Sequence, residues 1–206
     1  TTMCVVPRFW EKVYAGVIER MHKSSPVQRR MLEGALRVGH AYNVEYKMRG
    51  LVPPLSLKLQ YAFYEKTVIA LLLKTLGLER HNFFPTAGAA ISPQVEEFMR
   101  SVGLLLVIGY GMTETTATVT LDRWDKPITI GSVGRLLNGV QLKFGDNNEV
   151  LLKGDTITKG YYRKAEVTAL AIDEEGWFHT GDAGYMKNGE LFLTDRIKDL
   201  FKTSNG

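Results

Sequence analysis

Residues 104–116 read LLLVIGYGMTETT: an uninterrupted apolar run followed directly by a loop of glycine, hydroxyl and acidic residues. An apolar run without alternation predicts a strand that is buried on both faces, as in a parallel sheet. Upstream, Ser92-Pro93 is typical of a helix start, and residues 82–86 form a short aromatic run. The order strand, helix, strand predicts one βαβ unit over about residues 82–110.

The chain before this unit carries helical patterns. Apolar residues spaced by three and four predict a helix over residues 8–22, and a proline at position 26 can begin a second helix that continues to about residue 46. After Pro53-Pro54, a third helix is expected over about residues 56–76, with Gly77 ending it.

Beyond residue 122 the sequence is typical of strands and turns. Segments 140–144 and 149–153 flank Gly-Asp-Asn-Asn, and segments 183–186 and 191–194 flank a turn that contains Asn-Gly, a strong hairpin signal. Only residues 164–172 predict a helix here. The predicted fold class is therefore α/β: a layered α/β part with parallel strands, followed by a small distorted β-barrel.

Composition and charge favour some classes of protein over others. The 206 residues carry 26 Lys and Arg against 22 Asp and Glu, a formal charge of +4 that is spread along the chain. Scattered charge favours anionic small molecules over nucleic acid. One cysteine, Cys4, cannot form an internal disulfide, and the four histidines have no metal-site spacing. We expect a reduced, cytoplasmic setting without a signal peptide or membrane span.

Three familiar sites are excluded by spacing. Gly109-Tyr110-Gly111 begins like a dinucleotide fingerprint, but Glu114 stands where the third glycine belongs. No Lys-Ser or Lys-Thr pair follows a glycine, so the phosphate loop of P-loop enzymes is absent. Gly131-Ser132-Val133-Gly134 has the wrong spacing for an esterase nucleophile elbow.

Three polar clusters remain as candidate sites, and each has an ordinary alternative. The loop at residues 110–116 offers an aromatic face, a close backbone approach, hydroxyls and a carboxylate, which suit a nucleotide with magnesium, or it is a plain polar turn. Asp182, in GWFHTGD at residues 176–182, could accept both hydroxyls of a ribose, or be a turn residue. Arg196, in TDRIKD at residues 194–199, could meet a phosphate or ribose, or lie in a solvated loop.

Taken in order, these clusters resemble the adenylate-forming superfamily, and within it the long-chain fatty acyl-CoA synthetases. The resemblance covers essentially the whole chain. It is carried by VPRFWEKVY at 6–14, AGAAIS at 87–92, YGMTET at 110–115, GSVG at 131–134, EVLLKG at 149–154, GYY at 160–162, GWFHTGD at 176–182 and DRIKD at 195–199.

The resemblance implies a reaction and assigns roles. A carboxylic acid attacks ATP to form acyl-AMP and pyrophosphate, and the acyl group passes to coenzyme A. Residues of these motifs would bind the nucleotide: Tyr110 stacked on adenine in a loop with Gly111 and Met112, Gly88 and Ala89 at the adenine edge, Thr113 at the α-phosphate, Glu114 on Mg²⁺, Asp182 on the ribose and Arg196 near ribose or phosphate. Thr113 and Glu114 are the catalytic candidates, and Lys198 would occupy a hinge.

The same resemblance implies domain boundaries. Residues 1–122 would be part of the α/β subdomain, residues 123–194 the β-barrel-like subdomain, and residues 195–206 the hinge to a C-terminal domain beyond Gly206. The family's phosphate loop would lie before Thr1. We therefore expect an incomplete chain that does not turn over alone.

Two other functions stay open. The parent could be an acyl-AMP ligase with a different acceptor, or the chain could be a nucleotide-binding module without catalysis. The partners expected are a fatty acid, ATP and coenzyme A, with no nucleic acid. The basic excess and a lipid substrate are compatible with peripheral contact at a membrane.

Overall fold

The computed structural model describes residues 2–197. The chain divides into two compact units, Thr1–Val107 with Arg123–Gly131 and Ile108–Asp122 with Ser132–Gly206. The first unit is mainly helical and the second is mainly β, and the predicted α/β fold class is confirmed.

Helices dominate the first unit, which also holds β1 and the start of β2. Its elements are α1 (Pro7–His22), α2 (Pro26–Gly39), a π-helical segment (His40–Lys47), α3 (Leu55–Tyr64), a second π-helical segment (Glu65–Ile69), α4 (Ala70–Thr75), β1 (Phe84–Thr86), α5 (Pro93–Ser101) and β2 (Leu106–Tyr110). The two long helices expected over residues 26–46 and 56–76 are helical almost throughout, but each changes to π-type hydrogen bonding part-way. Gly77, at φ +70°, follows the last helical turn as predicted.

The βαβ order predicted over residues 82–110 is present. The Ser92 side chain accepts a hydrogen bond from the Val95 N–H at 3.3 Å, so α5 begins at the expected cap. The Phe84 N–H donates to the Leu105 carbonyl at 2.9 Å, which joins β1 to the segment leading into β2. Trp10 is fully buried beside β1, and its Nε1–H donates to Thr86 Oγ1 at 3.1 Å.

A buried ion pair lies on α5. Arg100 Nε and Glu96 Oε1 are 2.8 Å apart, and their side chains are 3% and 0% exposed. The second carboxylate oxygen of Glu96 accepts the Gly131 N–H at 2.9 Å, and Arg100 also donates to the Leu106 carbonyl at 3.1 Å. These hydrogen bonds give both buried charges fixed partners.

The second unit is built from antiparallel strands. Its elements are the end of β2, β3 (Thr120–Leu121), β4 (Arg135–Leu136), β5 (Val140–Phe144), β6 (Glu149–Gly154), α6 (Ala165–Ala171), β7 (Phe178–Lys187) and β8 (Glu190–Arg196). Strands β5 to β8 form one sheet in chain order, which contains both predicted hairpins, and β3 pairs with β2 and β4.

The core of this unit includes residues of the segment 108–122. Tyr110 and Val119, on either side of the polar loop, are buried together with residues of the β5–β8 sheet: Val140, Val150, Leu152 and Leu191. Backbone bonds also join the sheets, since the Leu191 N–H donates to the Gly134 carbonyl at 2.9 Å. Among residues 2–197, no helix combines the length and apolar character needed to cross a membrane.

Candidate nucleotide-binding site

Strand β2 places Tyr110 at its C-terminal end, where the polar loop begins. The side chain is 8% exposed, and its hydroxyl donates to Asp182 Oδ2 at 2.8 Å across 72 residues of sequence. Burial raises the pKa of this hydroxyl far above its ordinary value, so Tyr110 stays a hydrogen-bond donor at physiological pH. The first two polar clusters therefore meet at a buried hydrogen bond.

The loop after Tyr110 is held by its own backbone and by Thr115. A Cβ on Gly111 would lie 1.6 Å from the Ala117 carbonyl oxygen, so this position requires glycine to let the loop close. The buried Thr115 hydroxyl accepts the Met112 N–H at 2.9 Å. Thr113 is exposed and begins a short 3₁₀ turn that includes Glu114.

Glu114 is half-buried, and its hydrogen-bond partner is a residue for which the sequence motifs indicated no role. The Tyr161 hydroxyl donates to Glu114 Oε1 at 2.9 Å, and the Glu114 carbonyl accepts the Thr158 N–H at 2.7 Å. The hydrogen bond to this carboxylate raises the pKa of Tyr161. Tyr161 belongs to the GYY motif at residues 160–162, which was the available signal.

Asp182 lies on β7, next to a break in the pairing with β8. Its Oδ1 is 3.2 Å from Arg196 Nε on β8, while Oδ2 receives the Tyr110 hydroxyl. The Asp182 side chain is 10% exposed and that of Arg196 is 71% exposed, so the carboxylate is fixed from inside while the guanidinium reaches toward solvent. Residues of all three polar clusters thus meet at one carboxylate.

The remaining predicted residues lie in different parts of the chain. Gly88 and Ala89 belong to the first unit, where they are exposed in the loop after β1, and Gly88 has φ +93°. Lys198 lies outside the described residues. Glu114 is linked to Tyr161 and Thr158, whereas Asp182 is linked to Tyr110 and Arg196.

Comparison with known proteins identifies the family. The sequence model of the family described as AMP-binding enzyme matches residues 1–162. The chain belongs to the AMP-binding enzyme family. The resemblance to the adenylate-forming superfamily is thereby confirmed.

Among curated proteins, long-chain acyl-CoA synthetases are similar to this AMP-binding enzyme chain. The long-chain-fatty-acid–CoA ligase ACSBG2 of Xenopus laevis is 33% identical over 212 residues, with 100% of this chain and 28% of that protein aligned. The peroxisomal long chain acyl-CoA synthetase 7 of Arabidopsis thaliana is 31% identical over 225 residues, with 100% of this chain and 30% of that protein aligned. The chain thus spans less than a third of either relative.

Solved structures of AMP-binding enzymes share the fold. Escherichia coli MenE, with a bound phenylether-linked analogue of OSB-AMS, has a TM-score of 0.51 and 32% identity over 63% of this chain and 28% of its own. An ATP-bound RpMatB-BxBclM chimera has a TM-score of 0.55 and 26% identity over 66% of this chain and 30% of its own.

The Glu114 carboxylate would be the protein ligand of a magnesium ion that arrives with its nucleotide. Among residues 2–197 no group of three or more His, Cys, Asp or Glu is placed to hold a metal ion. Mg²⁺ is commonly held by one or two carboxylates together with substrate phosphates and water. The single, half-buried Glu114 carboxylate matches that requirement.

Proposed function

We propose that this chain supplies the nucleotide-binding region of an AMP-forming long-chain fatty acid–CoA ligase. The reaction joins a fatty acid carboxylate to the α-phosphorus of ATP, releases pyrophosphate, and then transfers the acyl group from AMP to the thiol of coenzyme A. The single observation that carries the proposal is that the Tyr110 hydroxyl and the Arg196 guanidinium both contact the Asp182 carboxylate. The printed names of the relatives support the substrate class.

Asp182 has capacity for a ribose. An ionised carboxylate offers about four acceptor positions, and Tyr110 and Arg196 use one on each oxygen. The remaining positions can accept both ribose hydroxyls. Because the Tyr110 hydroxyl holds the carboxylate before a ligand arrives, little conformational entropy is lost on binding.

The other roles follow from the loop's position. Thr113 is exposed at the start of its turn and would donate to the α-phosphate, and the Arg196 guanidinium would lie near ribose or phosphate. Tyr110 directs its hydroxyl to Asp182, and 8% of its surface is exposed. The stacking of its ring on adenine stays a prediction, and so does the contact of Gly88 and Ala89 with the base.

Magnesium provides the next test. When bound, Mg²⁺ would neutralise charge on the phosphate oxygens. Glu114→Gln removes the carboxylate charge but keeps an oxygen that can accept from Tyr161, so the loop should stay folded. Calorimetric titration of ATP with and without Mg²⁺ is expected to show that the variant loses about tenfold or more of the Mg²⁺-dependent gain in affinity, the scale of one charge-assisted contact. Glu166→Gln, on the exposed face of α6, should keep the gain. If Glu114→Gln kept the full Mg²⁺-dependent gain in ATP affinity, Glu114 would not be a ligand of the metal.

Calorimetry on the 206-residue chain tests the proposed function itself. We expect binding of Mg-ATP and tighter binding of a non-hydrolysable fatty acyl-AMP analogue, because the analogue adds an apolar group to the same nucleotide contacts. Equal affinity for AMP and the analogue would favour a nucleotide-binding module without an acyl site. The absence of binding to all three would contradict the proposal.

A further inference from the structure

The strand that carries Asp182 loses its register at that residue. Between β6 and β7, Leu151 pairs with His179 and Glu149 pairs with Ala183. A step of two residues along β6 therefore corresponds to a step of four along β7. The surplus residues form a bulge, a feature that changes the direction of a side chain within a sheet.

Side chains replace the missing ladder bonds within this bulge. Glu149 Oε1 accepts the Gly181 N–H at 2.9 Å. Thr180 Oγ1 accepts the Asp182 N–H at 3.1 Å and donates to the Val150 carbonyl at 2.7 Å. Gly181 has φ +71°, a conformation that glycine adopts without strain.

The Glu149 carboxylate is held on its other side as well. Its Oε2 is 2.9 Å from His179 Nδ1, and the Glu149 side chain is only 16% exposed. One carboxylate thus contacts β7 on both sides of Thr180, at His179 and at Gly181. This arrangement restricts the backbone of the bulge, which includes Asp182.

We infer that Glu149 is a positioning residue for Asp182. It contacts the Gly181 N–H and, through that hydrogen bond, sets the direction in which the Asp182 carboxylate faces a ribose. Glu149 itself does not touch the nucleotide. The inference rests on the proposed function, because it assigns Asp182 to the ribose hydroxyls.

The test compares two ligands that differ only in those hydroxyls. The affinities of AMP and 2′,3′-dideoxy-AMP are measured by calorimetry for the full chain. The unchanged chain is expected to prefer AMP by about 100-fold, the scale of the two charge-assisted hydrogen bonds that the ribose hydroxyls would make. Glu149→Ala should bring this preference close to one while leaving the affinity for dideoxy-AMP within about twofold, since adenine and phosphate contacts persist.

Conservative variants separate positioning from a general structural role. Glu149→Gln keeps an oxygen for the Gly181 N–H and should keep most of the preference, whereas Glu149→Asp, one methylene shorter, should lose it. Glu175→Ala is the matched control, because this glutamate makes an exposed ion pair with Lys143 in the same unit. Glu175→Ala should keep the full preference for AMP over dideoxy-AMP. The retained affinity for dideoxy-AMP shows that a variant is folded, and Glu149→Asp decides the matter if Glu149→Ala does not fold.

The possible outcomes are distinct. Full AMP preference in Glu149→Ala or Glu149→Asp would overturn the positioning role. Loss of preference in Glu149→Gln equal to that in Glu149→Ala would also overturn it, because the hydrogen bond to Gly181 would then not be the cause. No preference in the unchanged chain would contradict the ribose role of Asp182 and hence the proposed function.

Discussion

Asp182→Ala is expected to weaken AMP binding by about 100-fold, or about 3 kcal/mol, the scale of two charge-assisted hydrogen bonds. The variant removes both acceptors proposed for the ribose. It also leaves Arg196 without its carboxylate and the buried Tyr110 hydroxyl without its acceptor. Calorimetric titration with AMP measures the loss.

Two further variants define what the Asp182 result means. Asp182→Asn keeps the shape and one acceptor oxygen, so it should retain the fold and lose less affinity than alanine. Asp155→Ala changes an exposed aspartate in the turn after β6 and should bind AMP normally. Near-normal AMP binding by Asp182→Ala would exclude Asp182 from the nucleotide site.

Glu96→Ala is expected to lower the free energy of unfolding by about 3–5 kcal/mol, because it leaves a buried guanidinium without its carboxylate. It also deprives the Gly131 N–H of its acceptor. Urea unfolding followed by tryptophan fluorescence measures the loss, since Trp10 is buried in the same unit.

A double variant and a surface control complete this measurement. Glu96→Leu combined with Arg100→Met replaces the ion pair with apolar side chains of similar size and should be less destabilised than Glu96→Ala. Glu19→Ala removes an exposed ion pair, in which the Lys23 and Glu19 side chains are 74% and 68% exposed. It should change the free energy of unfolding by less than about 1 kcal/mol. If Glu19→Ala and Glu96→Ala lowered the free energy of unfolding by similar amounts, the burial of the α5 ion pair would not be the cause of the loss.

Local chemistry accounts for the elements that could be predicted from the sequence. The Ser92-Pro93 helix start and the Asn188-Gly189 hairpin depend on backbone preferences of a few adjacent residues, and both are present in the structure. The register break at Asp182 has no such local signal, because it depends on which residue of β6 lies opposite.

The ion pair on α5 shows a second limit. Glu96 and Arg100 are four residues apart, a spacing that usually indicates an exposed helix pair. In the fold both side chains are buried and hydrogen-bond to backbone groups outside the helix, at Leu106 and Gly131, which sequence periodicity does not reveal. The π-helical segments also lack a distinguishing pattern of apolar residues.

The candidate site was also only partly predictable from the sequence. The residue types in each cluster indicated nucleotide chemistry, but local pattern left an ordinary turn as an alternative for Asp182. The family resemblance assigned Asp182 to the ribose and Tyr110 to adenine, but it did not predict the hydrogen bond between them, which joins residues 72 positions apart. Tyr161 and Glu149 had no assigned role, because each acts on another side chain or backbone group of the site.

A crystal structure of this chain with AMP tests directly whether Asp182 binds the ribose. Both ribose hydroxyls are expected within about 3 Å of the Asp182 carboxylate, with the phosphate on the side of Thr113 and Glu114. AMP bound at a surface that excludes Asp182, or a ribose turned away from that carboxylate, would contradict this expectation.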